Sequence, residues 1–149
     1  MAEFTGTVDC VLPVQREELW ALLSDPDQML KLDPMLESYE PETGQIAVGT
    51  TNRAVSRFGP FRMSMQTKTQ VLDRPARAVF ESVQPAKPVR VTVEDTLSAE
   101  ADGTRYTIRV SAQATVPLGR VVAPLLGRFM LRSRRKLLDR LAKSFAANG

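Results

Sequence analysis

The sequence predicts an α+β domain in which one curved antiparallel sheet packs against a long C-terminal helix. Three observations support this prediction. One strand-like segment leads into a short helix that contains Trp20, a series of alternating strands follows, and a single basic helix closes the chain. Because the closing helix has only one sheet to pack on, the sheet must curve around it and leave a concave space. We expect residues 1–149 to form one such domain.

The beginning of the chain predicts a strand followed by two short helices. Residues 4–12 form an apolar strand that ends at Pro13, whose missing N–H suits a strand end. Glu17 and Glu18 suit the first turn of the next helix, and Trp20 belongs to its broad apolar face. A Ser-Asp-Pro-Asp segment ends that helix and caps a second one at about residues 28–32.

The middle of the chain predicts strands, because apolar and polar residues alternate there between turn-forming residues. Asp102-Gly103 is a strong hairpin signal between the last two strands. The expected segments are residues 37–42, 45–56 with an interruption at Gly49, 61–72, 77–83, 89–98 and 106–114. Alternation places Asp95 on the same inward side as Val91 and Val93.

The closing helix has two apolar stripes that are rotated relative to each other. The residues of the two stripes are Leu118, Val121, Val122, Leu125 and Phe129, and then Leu137, Leu138, Leu141 and Phe145. Pro124 lies near the change and would either start the main helix or kink it. We expect Leu125, Phe129, Leu137 and Leu141 to be buried against the sheet. The basic residues between them are expected to be exposed: Arg128, Arg132, Arg135 and Lys136.

The composition excludes several kinds of active site. The chain has no histidine, which removes the commonest general base, the usual zinc ligand and every Ser-His or Cys-His arrangement. It shows no metal-ligand cluster, no phosphate-binding glycine loop and no nucleotide fingerprint, so we predict neither metal nor cofactor. The single Cys10 cannot form an internal disulfide, and no signal peptide or membrane span is apparent, which together favour the cytoplasm.

Polar residues on inward strand positions are the candidates for chemistry. A buried carboxylate at Asp95 needs a partner or acquires a raised pKa, and Tyr106 on the neighbouring strand could present its hydroxyl to a ligand. Arg53 is a further candidate, and the alternative for Asp95 is a structural ion pair with an arginine. Ser133 or Arg134 interrupts the apolar stripe of the closing helix and could add a polar contact.

The apolar ligand contacts are expected on the same inward positions and on the closing helix. Methionines are plausible members because their flexible thioethers adapt to varied ligands, although they also fill gaps in ordinary cores. The methionines considered are Met29, Met35, Met63, Met65 and Met130. The predicted binding residues are Met63, Met65, Val91, Val93, Asp95, Tyr106, Ile108, Val110, Leu125, Phe129, Ser133 and Leu137.

The segment from Leu12 to Pro26 (LPVQREELWALLSDP) resembles the opening of the START/Bet v 1-like (SRPBCC) superfamily. It is most similar to the group described as polyketide cyclase/dehydrase and lipid transport. Asp73-Arg74-Pro75 between two strands, Gly103-Thr104-Arg105 in the last hairpin and Pro117-Leu118-Gly119 before the basic helix fit the same pattern over nearly the whole chain. The resemblance implies a helix-grip fold, with about seven strands around the C-terminal helix. Leu32 departs from it, because many members have an aromatic residue there.

Three functions follow as expectations. The first is the binding, transport or sequestration of a hydrophobic small molecule or lipid between the sheet and the C-terminal helix. The second is a polyketide cyclase or dehydratase in which Asp95, Tyr106 or Arg53 orients an enolisable chain without metal or histidine. The third is an interaction of the basic helix with the ribosome or an anionic membrane, whereas DNA is not expected as a partner. Polar groups that converge in one cavity would favour the enzyme, and a filled interior would favour the interaction protein.

Overall fold

The computed structural model describes residues 3–33, 35–41, 47–58, 60–84 and 88–148, and it shows seven strands and three helices within them. In chain order the elements are β1 (Phe4–Leu12), α1 (Arg16–Leu23), α2 (Pro26–Leu32), β2 (Leu36–Pro41), β3 (Thr51–Phe58), β4 (Phe61–Asp73), β5 (Arg77–Gln84), β6 (Val89–Glu100), β7 (Gly103–Ala114) and α3 (Gly119–Asn148). None of these helices has the length and apolarity that crossing a membrane requires.

The strands form one antiparallel sheet in the order β1-β7-β6-β5-β4-β3-β2. Strands β2 to β7 follow one another as a meander, and β1 joins the far edge beside β7. The predicted helix-grip architecture is therefore confirmed, including the two short helices after the first strand. Gly103 opens β7 with a φ of +144°, a conformation that L side chains rarely adopt, and this fits the hairpin predicted there.

Helix α3 lies on one side of the sheet and packs mainly on β1 and β7, with fewer contacts to β6. Gly127 permits this approach, because a Cβ atom at that position would collide with the ring of Phe4 on β1. The residues between helix and strands form a filled core, and Trp20 of α1 belongs to it. Its fully buried members include Leu12, Leu19, Ile108, Val110, Ala112, Leu137 and Leu141.

The boundaries of β2 and β3 differ from those predicted. Strand β2 covers Leu36–Pro41 instead of residues 37–42, and β3 starts at Thr51 and extends to Phe58 instead of covering residues 45–56. Residues 47–50 form a turn: the hydroxyl of Thr50 donates a hydrogen bond to the carbonyl of Ala47 (2.7 Å), and Gly49 has a φ of +85°. Positions 42, 45 and 46 of the predicted strands lie outside the described residues.

The predicted burial of Leu125 in the first apolar stripe of α3 is wrong, whereas Val122 and Phe129 of the same stripe are partly buried. The side chains of Leu118, Val121 and Leu125 are between 64% and 67% exposed. The face that meets β1 carries the small residues Ala123 and Gly127, because the close approach of the two backbones leaves no room for larger ones. Pro124 neither starts the helix nor ends it but lies inside it, one turn after Gly119.

The second stripe of α3 behaves as predicted. Leu137 and Leu141 have no exposed surface, and Leu138 is also buried. The four basic residues that were expected to face solvent are all exposed, namely Arg128, Arg132, Arg135 and Lys136. The helix therefore has a well-defined inner face along its second half.

Candidate functional site: a polar cluster in the cavity between sheet and helix

A cavity of about 110 Å³ lies between the inner face of the sheet, the α2–β2 segment and α3. Helix α3 leans towards β1 and β7, so strands β3 and β4 are left without a helix above them. Small side chains on these strands, at Ala54, Ser56 and Thr67, keep the space open. The cavity is bordered by Leu23, Met29, Asp33, Leu36, Tyr39, Ala54, Ser56, Met63, Met65, Thr67, Phe80, Val91, Val93, Asp95, Tyr106, Met130, Ser133 and Arg134.

Much of the apolar wall is made of methionine. Met29 comes from α2, Met63 and Met65 from β4, and Met130 from α3, so the four side chains approach from different sides. Unbranched thioether side chains can change rotamer at little cost, which allows such a wall to adapt to the shape of a ligand. Met35, the remaining methionine that the sequence indicated, does not border the cavity.

Asp95 and Tyr106 form a hydrogen-bonded pair at the polar end of the cavity. They stand on the inner face of the adjacent strands β6 and β7. Asp95 is partly exposed by accessible surface, and it borders the cavity. Burial raises the pKa of Asp95 from 3.8 to about 6, although the positive charge of Arg134 and the hydrogen bond from Tyr106 oppose the shift. Burial and the nearby carboxylate raise the pKa of Tyr106 well above 10.

Arg134 reaches the same region from α3. Its Nη1 atom lies 3.9 Å from Oδ2 of Asp33, which is too far for a hydrogen bond, and its buried Nε atom has no hydrogen-bond partner among the residues that the structure describes. Burial lowers the pKa of Arg134, but the charges of Asp33 and Asp95 outweigh this effect and raise it. The guanidinium is therefore a permanent positive charge between two carboxylates, with hydrogen-bonding capacity left over.

Asp33 has two functions in the local structure. It directly follows α2, where its Oδ1 atom accepts a hydrogen bond from the N–H of Met35 (3.0 Å). Its other oxygen points towards Arg134, and the residue is only 5% exposed. The carboxylate thus ties the end of α2 to the inner face of α3.

Tyr39 enters the cavity because β2 is irregular. The pairing of β2 with β3 shifts between Leu36 and Ser38, so that Leu36 lies opposite Ser56 and Tyr39 lies opposite Ala54. Residues three apart would face opposite sides of a regular strand, but this β-bulge turns both inwards. Burial raises the pKa of Tyr39 to about 12, so its hydroxyl is a hydrogen-bond donor at neutral pH.

The assembled cluster can bind and polarise an oxygen atom of a ligand. It offers one guanidinium and two phenolic hydroxyls as donors, beside a carboxyl group at Asp95 that gains or loses a proton close to neutral pH. Among the described residues, no group of three or more His, Cys, Asp or Glu side chains is placed to hold a metal ion.

A second, smaller cavity of about 30 Å³ lies behind the first, next to Trp20 of α1. Leu23, Phe80 and Asp95 border both cavities and separate them. Because these three side chains form the partition, their movement would join the two spaces and lengthen the binding site.

The structure brings together some of the predicted site residues and not others. Met63, Met65, Val91, Val93, Asp95, Tyr106 and Ser133 border the main cavity. Ile108, Val110 and Leu137 lie in the filled core, and Phe129 lies outside the cavity wall. Leu125 is exposed on the outer side of α3, and Arg53 is exposed on β3 between the inward positions Asn52 and Ala54. The predictions for Leu125 and Arg53 as site residues are therefore wrong.

Sequence reasoning missed Asp33 and Tyr39. Asp33 follows a short helix and looks like an ordinary end cap, and nothing local indicates that it faces an arginine about a hundred residues later in the chain. Tyr39 was assigned to an edge strand, and only knowledge of the bulge could have placed it inside. An aromatic residue flanked by Ser38 and Glu40 was the one available signal.

Comparisons with known proteins agree with this fold. A family model described as polyketide cyclase/dehydrase and lipid transport matches residues 1–146. No curated protein matches the sequence. Among solved structures, the protein TTHA0849 from Thermus thermophilus is similar at 20% identity and a TM-score of 0.76, covering 98% of this chain and 99% of that one.

Two further structures show how widely the fold is shared. The di-domain ARO/CYC protein StfQ of the steffimycin biosynthetic pathway has 14% identity and a TM-score of 0.77, covering 97% of this chain and 51% of its own. Ara h 8.0201 has 14% identity and a TM-score of 0.71, covering 97% of this chain and 98% of its own. At such identities the likeness concerns the fold.

Proposed function

Because the chain belongs to the polyketide cyclase/dehydrase and lipid transport family, we propose that it binds a hydrophobic small molecule whose oxygen-bearing end contacts Arg134, Tyr39 and Tyr106. The observation that carries this proposal is the position of Arg134. Its guanidinium borders a methionine-lined cavity and its partner Asp33 is beyond hydrogen-bond distance. A carbonyl, hydroxyl or carboxylate oxygen of a ligand would satisfy that capacity.

The size of the cavity limits the ligand. Ligand pockets commonly have volumes of roughly 300–1,000 Å³, whereas this cavity has about 110 Å³. A compact ring system or a single acyl chain therefore fits better than a lipid with two chains. A larger ligand requires the methionine wall to move or the partition at Leu23 and Phe80 to open.

Two fluorescent probes that differ in charge test the proposal. Anilinonaphthalene sulfonate carries an anionic group, and N-phenyl-1-naphthylamine has a similar ring system without charge. We expect both to bind with one-to-one stoichiometry. Arg134→Gln should lower the affinity for the anionic probe about 10- to 100-fold, the range for a lost charged hydrogen bond. It should lower the affinity for the neutral probe by about twofold or less.

The neighbouring residue supplies the control. Arg135 is exposed on the outer side of α3, so Arg135→Gln removes the same charge without touching the cavity and should leave both affinities unchanged. Thermal unfolding of each variant separates binding from folding. Equal loss of both probes in folded Arg134→Gln, or no stoichiometric binding to the wild type, would contradict the proposal.

A second candidate function is proton transfer on a bound carbonyl compound, as in a cyclase or dehydratase. It is favoured by the convergence of a carboxyl group, a phenol and a guanidinium at Asp95, Tyr106 and Arg134. In this reaction the Asp95 carboxylate removes a proton from the carbon beside the carbonyl. Arg134 and Tyr106 then stabilise the negative charge that develops on the enolate oxygen. Arg134 thereby takes the place that the sequence suggested for Arg53.

Exchange of hydrogen for deuterium at the α-carbon of 2-tetralone, followed by NMR, tests this chemistry without knowledge of the natural substrate. The protein should accelerate the exchange, and the rate should rise with pH as Asp95 ionises around 6. Asp95→Asn should lower the acceleration by about 10²- to 10⁴-fold, the usual contribution of a general base. Glu81→Gln changes a carboxylate on β5 that pairs with Arg90 and does not border the cavity, and should have no effect. Exchange no faster than in buffer would contradict the proposed proton transfer and leave ligand binding as the only proposed function.

A further inference from the structure

The outward side of α3 carries a continuous line of exposed residues that is first aliphatic and then basic. From Leu118, which immediately precedes α3, to Arg135 successive members are alternately three and four residues apart, so those within the helix follow one of its faces, and Lys136 adjoins the last of them. Each of the three aliphatic members exposes about two thirds of its surface, between 64% and 67%. We call this line the outer stripe; it consists of Leu118, Val121, Leu125, Arg128, Arg132, Arg135 and Lys136.

The basic members of the outer stripe are free to engage a partner. Among the described residues, none of them forms an ion pair. Several arginines of the sheet, in contrast, are matched with acids, as in Arg77–Glu94 and Arg105–Glu100, both at 2.6 Å. Four unpaired basic side chains thus lie close to one another along one side of α3.

We infer that the outer stripe docks the protein on an anionic lipid surface, with the aliphatic end entering the interface and the basic end contacting phosphate and carboxylate headgroups. Such a surface uses both halves of the stripe, because apolar side chains partition into the headgroup–acyl boundary while arginines attract anionic lipids. RNA would contact the basic side chains but would give the exposed aliphatic side chains no apolar surface to bind. The stripe also has no aromatic residue for base stacking. A second copy would bring two rows of like charge together.

Docking in this way leaves the cavity accessible. Met130, Ser133 and Arg134 border the cavity from the opposite side of α3, so the helix separates the ligand site from the proposed lipid contact. If the proposed ligand binding holds, docking brings the cavity close to the phase in which apolar ligands dissolve. The docking itself does not depend on that function, since none of the stripe residues borders the cavity.

Co-sedimentation with vesicles provides the first test. The wild type should bind vesicles of 70% phosphatidylcholine and 30% phosphatidylserine at low salt, bind pure phosphatidylcholine much less, and dissociate as salt is added. Replacing Arg128, Arg132 and Arg135 together with Gln should weaken binding about 100-fold, from about fivefold for each basic residue near the surface. Replacing Leu118, Val121 and Leu125 together with Ser should weaken it at least about tenfold.

Matched variants keep the result specific. Lys68, Arg74 and Arg109 are exposed and lie outside α3, so replacing these three with Gln lowers the net charge equally and should change binding less than about threefold. Val48 is 60% exposed in a different region, and Val48→Ser should have no effect. The melting temperature of every variant, measured without lipid, shows that it is folded.

The depth of insertion provides a second, independent measurement. Leu125→Trp should give a blue-shifted emission component with the anionic vesicles and be quenched by brominated acyl chains, whereas Val48→Trp should give neither. The proposal is overturned if the wild type does not bind anionic vesicles at low salt, or if the matched charge variant loses as much affinity as the stripe variant. It is equally overturned if Leu125→Trp stays in water, or if the stripe binds poly-glutamate but no vesicle, which would indicate an acidic protein partner.

Discussion

The two halves of the sheet differ in what covers their inner face. On the half made of β1, β7 and the adjoining part of β6, α3 approaches closely and side chains such as Ile108, Val110 and Leu137 fill the space completely. On the half made of β2, β3 and β4, α3 does not make this close approach, and a cavity remains between the strands, α2 and α3. The same sheet thus serves as a packed core on one side and as a binding surface on the other.

This difference shows how the fold separates stability from binding. The filled half uses branched aliphatic residues whose removal would create a cavity, whereas the open half uses small residues and methionines beside an existing one. The polar cluster lies at the boundary, where Asp95 and Tyr106 project from the same strands that supply the core. Substitutions in the two halves should therefore differ in how much they lower stability and in how much they change ligand binding.

The largest expected difference concerns truncation to alanine. Leu137→Ala should lower the free energy of unfolding by about 2–5 kcal/mol, because it removes a fully buried side chain and leaves a cavity. Met63→Ala should cost less than about 1.5 kcal/mol, because Met63 already borders empty space and is partly exposed. Chemical denaturation measures both values. Equal losses would show that the open half is packed as tightly as the core.

The second difference concerns pH. The pKa of Asp95 is raised from 3.8 to about 6 in the folded protein, so between these values the folded state binds more protons than the unfolded state. The contribution of Asp95 to stability is fully present below about pH 4 and is lost as the pH rises through about 6. The total contribution that is lost is on the order of 3 kcal/mol. Asp95→Asn should remove this dependence, so the variant should gain stability relative to the wild type as the pH rises.

Denaturant titrations of both proteins at pH 4 and pH 7.5 measure this relative change in the free energy of unfolding. Other acids also titrate over this range, but they do so in both proteins, so their contributions cancel in the comparison. Glu81→Gln on β5, which pairs with Arg90, is the control and should follow the wild type. Parallel curves for Asp95→Asn and the wild type would mean that Asp95 has its ordinary pKa.

The third and smallest difference concerns added volume on neighbouring strands. Ala112 on β7 is fully buried, and Ala112→Phe should destabilise the protein by about 1–3 kcal/mol through overpacking. Val93 on β6 borders the cavity, so Val93→Phe should change stability less and should displace the neutral fluorescent probe. The melting temperature and the affinity for the neutral probe, measured for both variants, check these two expectations. Loss of stability in Val93→Phe with unchanged affinity would place Val93 in the core.

The filled half of the molecule could be predicted from the sequence in some detail. Alternation in β6 and β7 places Val91, Val93, Tyr106 and Ile108 on the inner face, as observed, because both strands are regular and one face of each is buried. The order of strands and helices followed from turn residues and from the family resemblance. Asp95 was found for the same reason, since its position in β6 fixes its direction.

The open half was harder to predict for identifiable physical reasons. The pairing of Asp33 with Arg134 is non-local and leaves no pattern in the sequence. The direction of Tyr39 depends on a bulge that period-two reasoning cannot include. The face of α3 was misassigned because hydrophobicity was taken to indicate burial, whereas the closest contact with the sheet is made at Ala123 and Gly127.

The bulge in β2 also makes ligand preference sensitive to how this strand pairs. If β2 paired with β3 without the bulge, Leu36 and Tyr39 would face opposite sides of the sheet, and one of them would have to leave the cavity. One hydroxyl donor, or one apolar contact, would then be exchanged for the opposite side chain, while β3 and the rest of the sheet kept their pairing. Relatives in which this strand is regular are therefore expected to differ in the polarity of the ligands that they accept, even where every other residue around the cavity is shared.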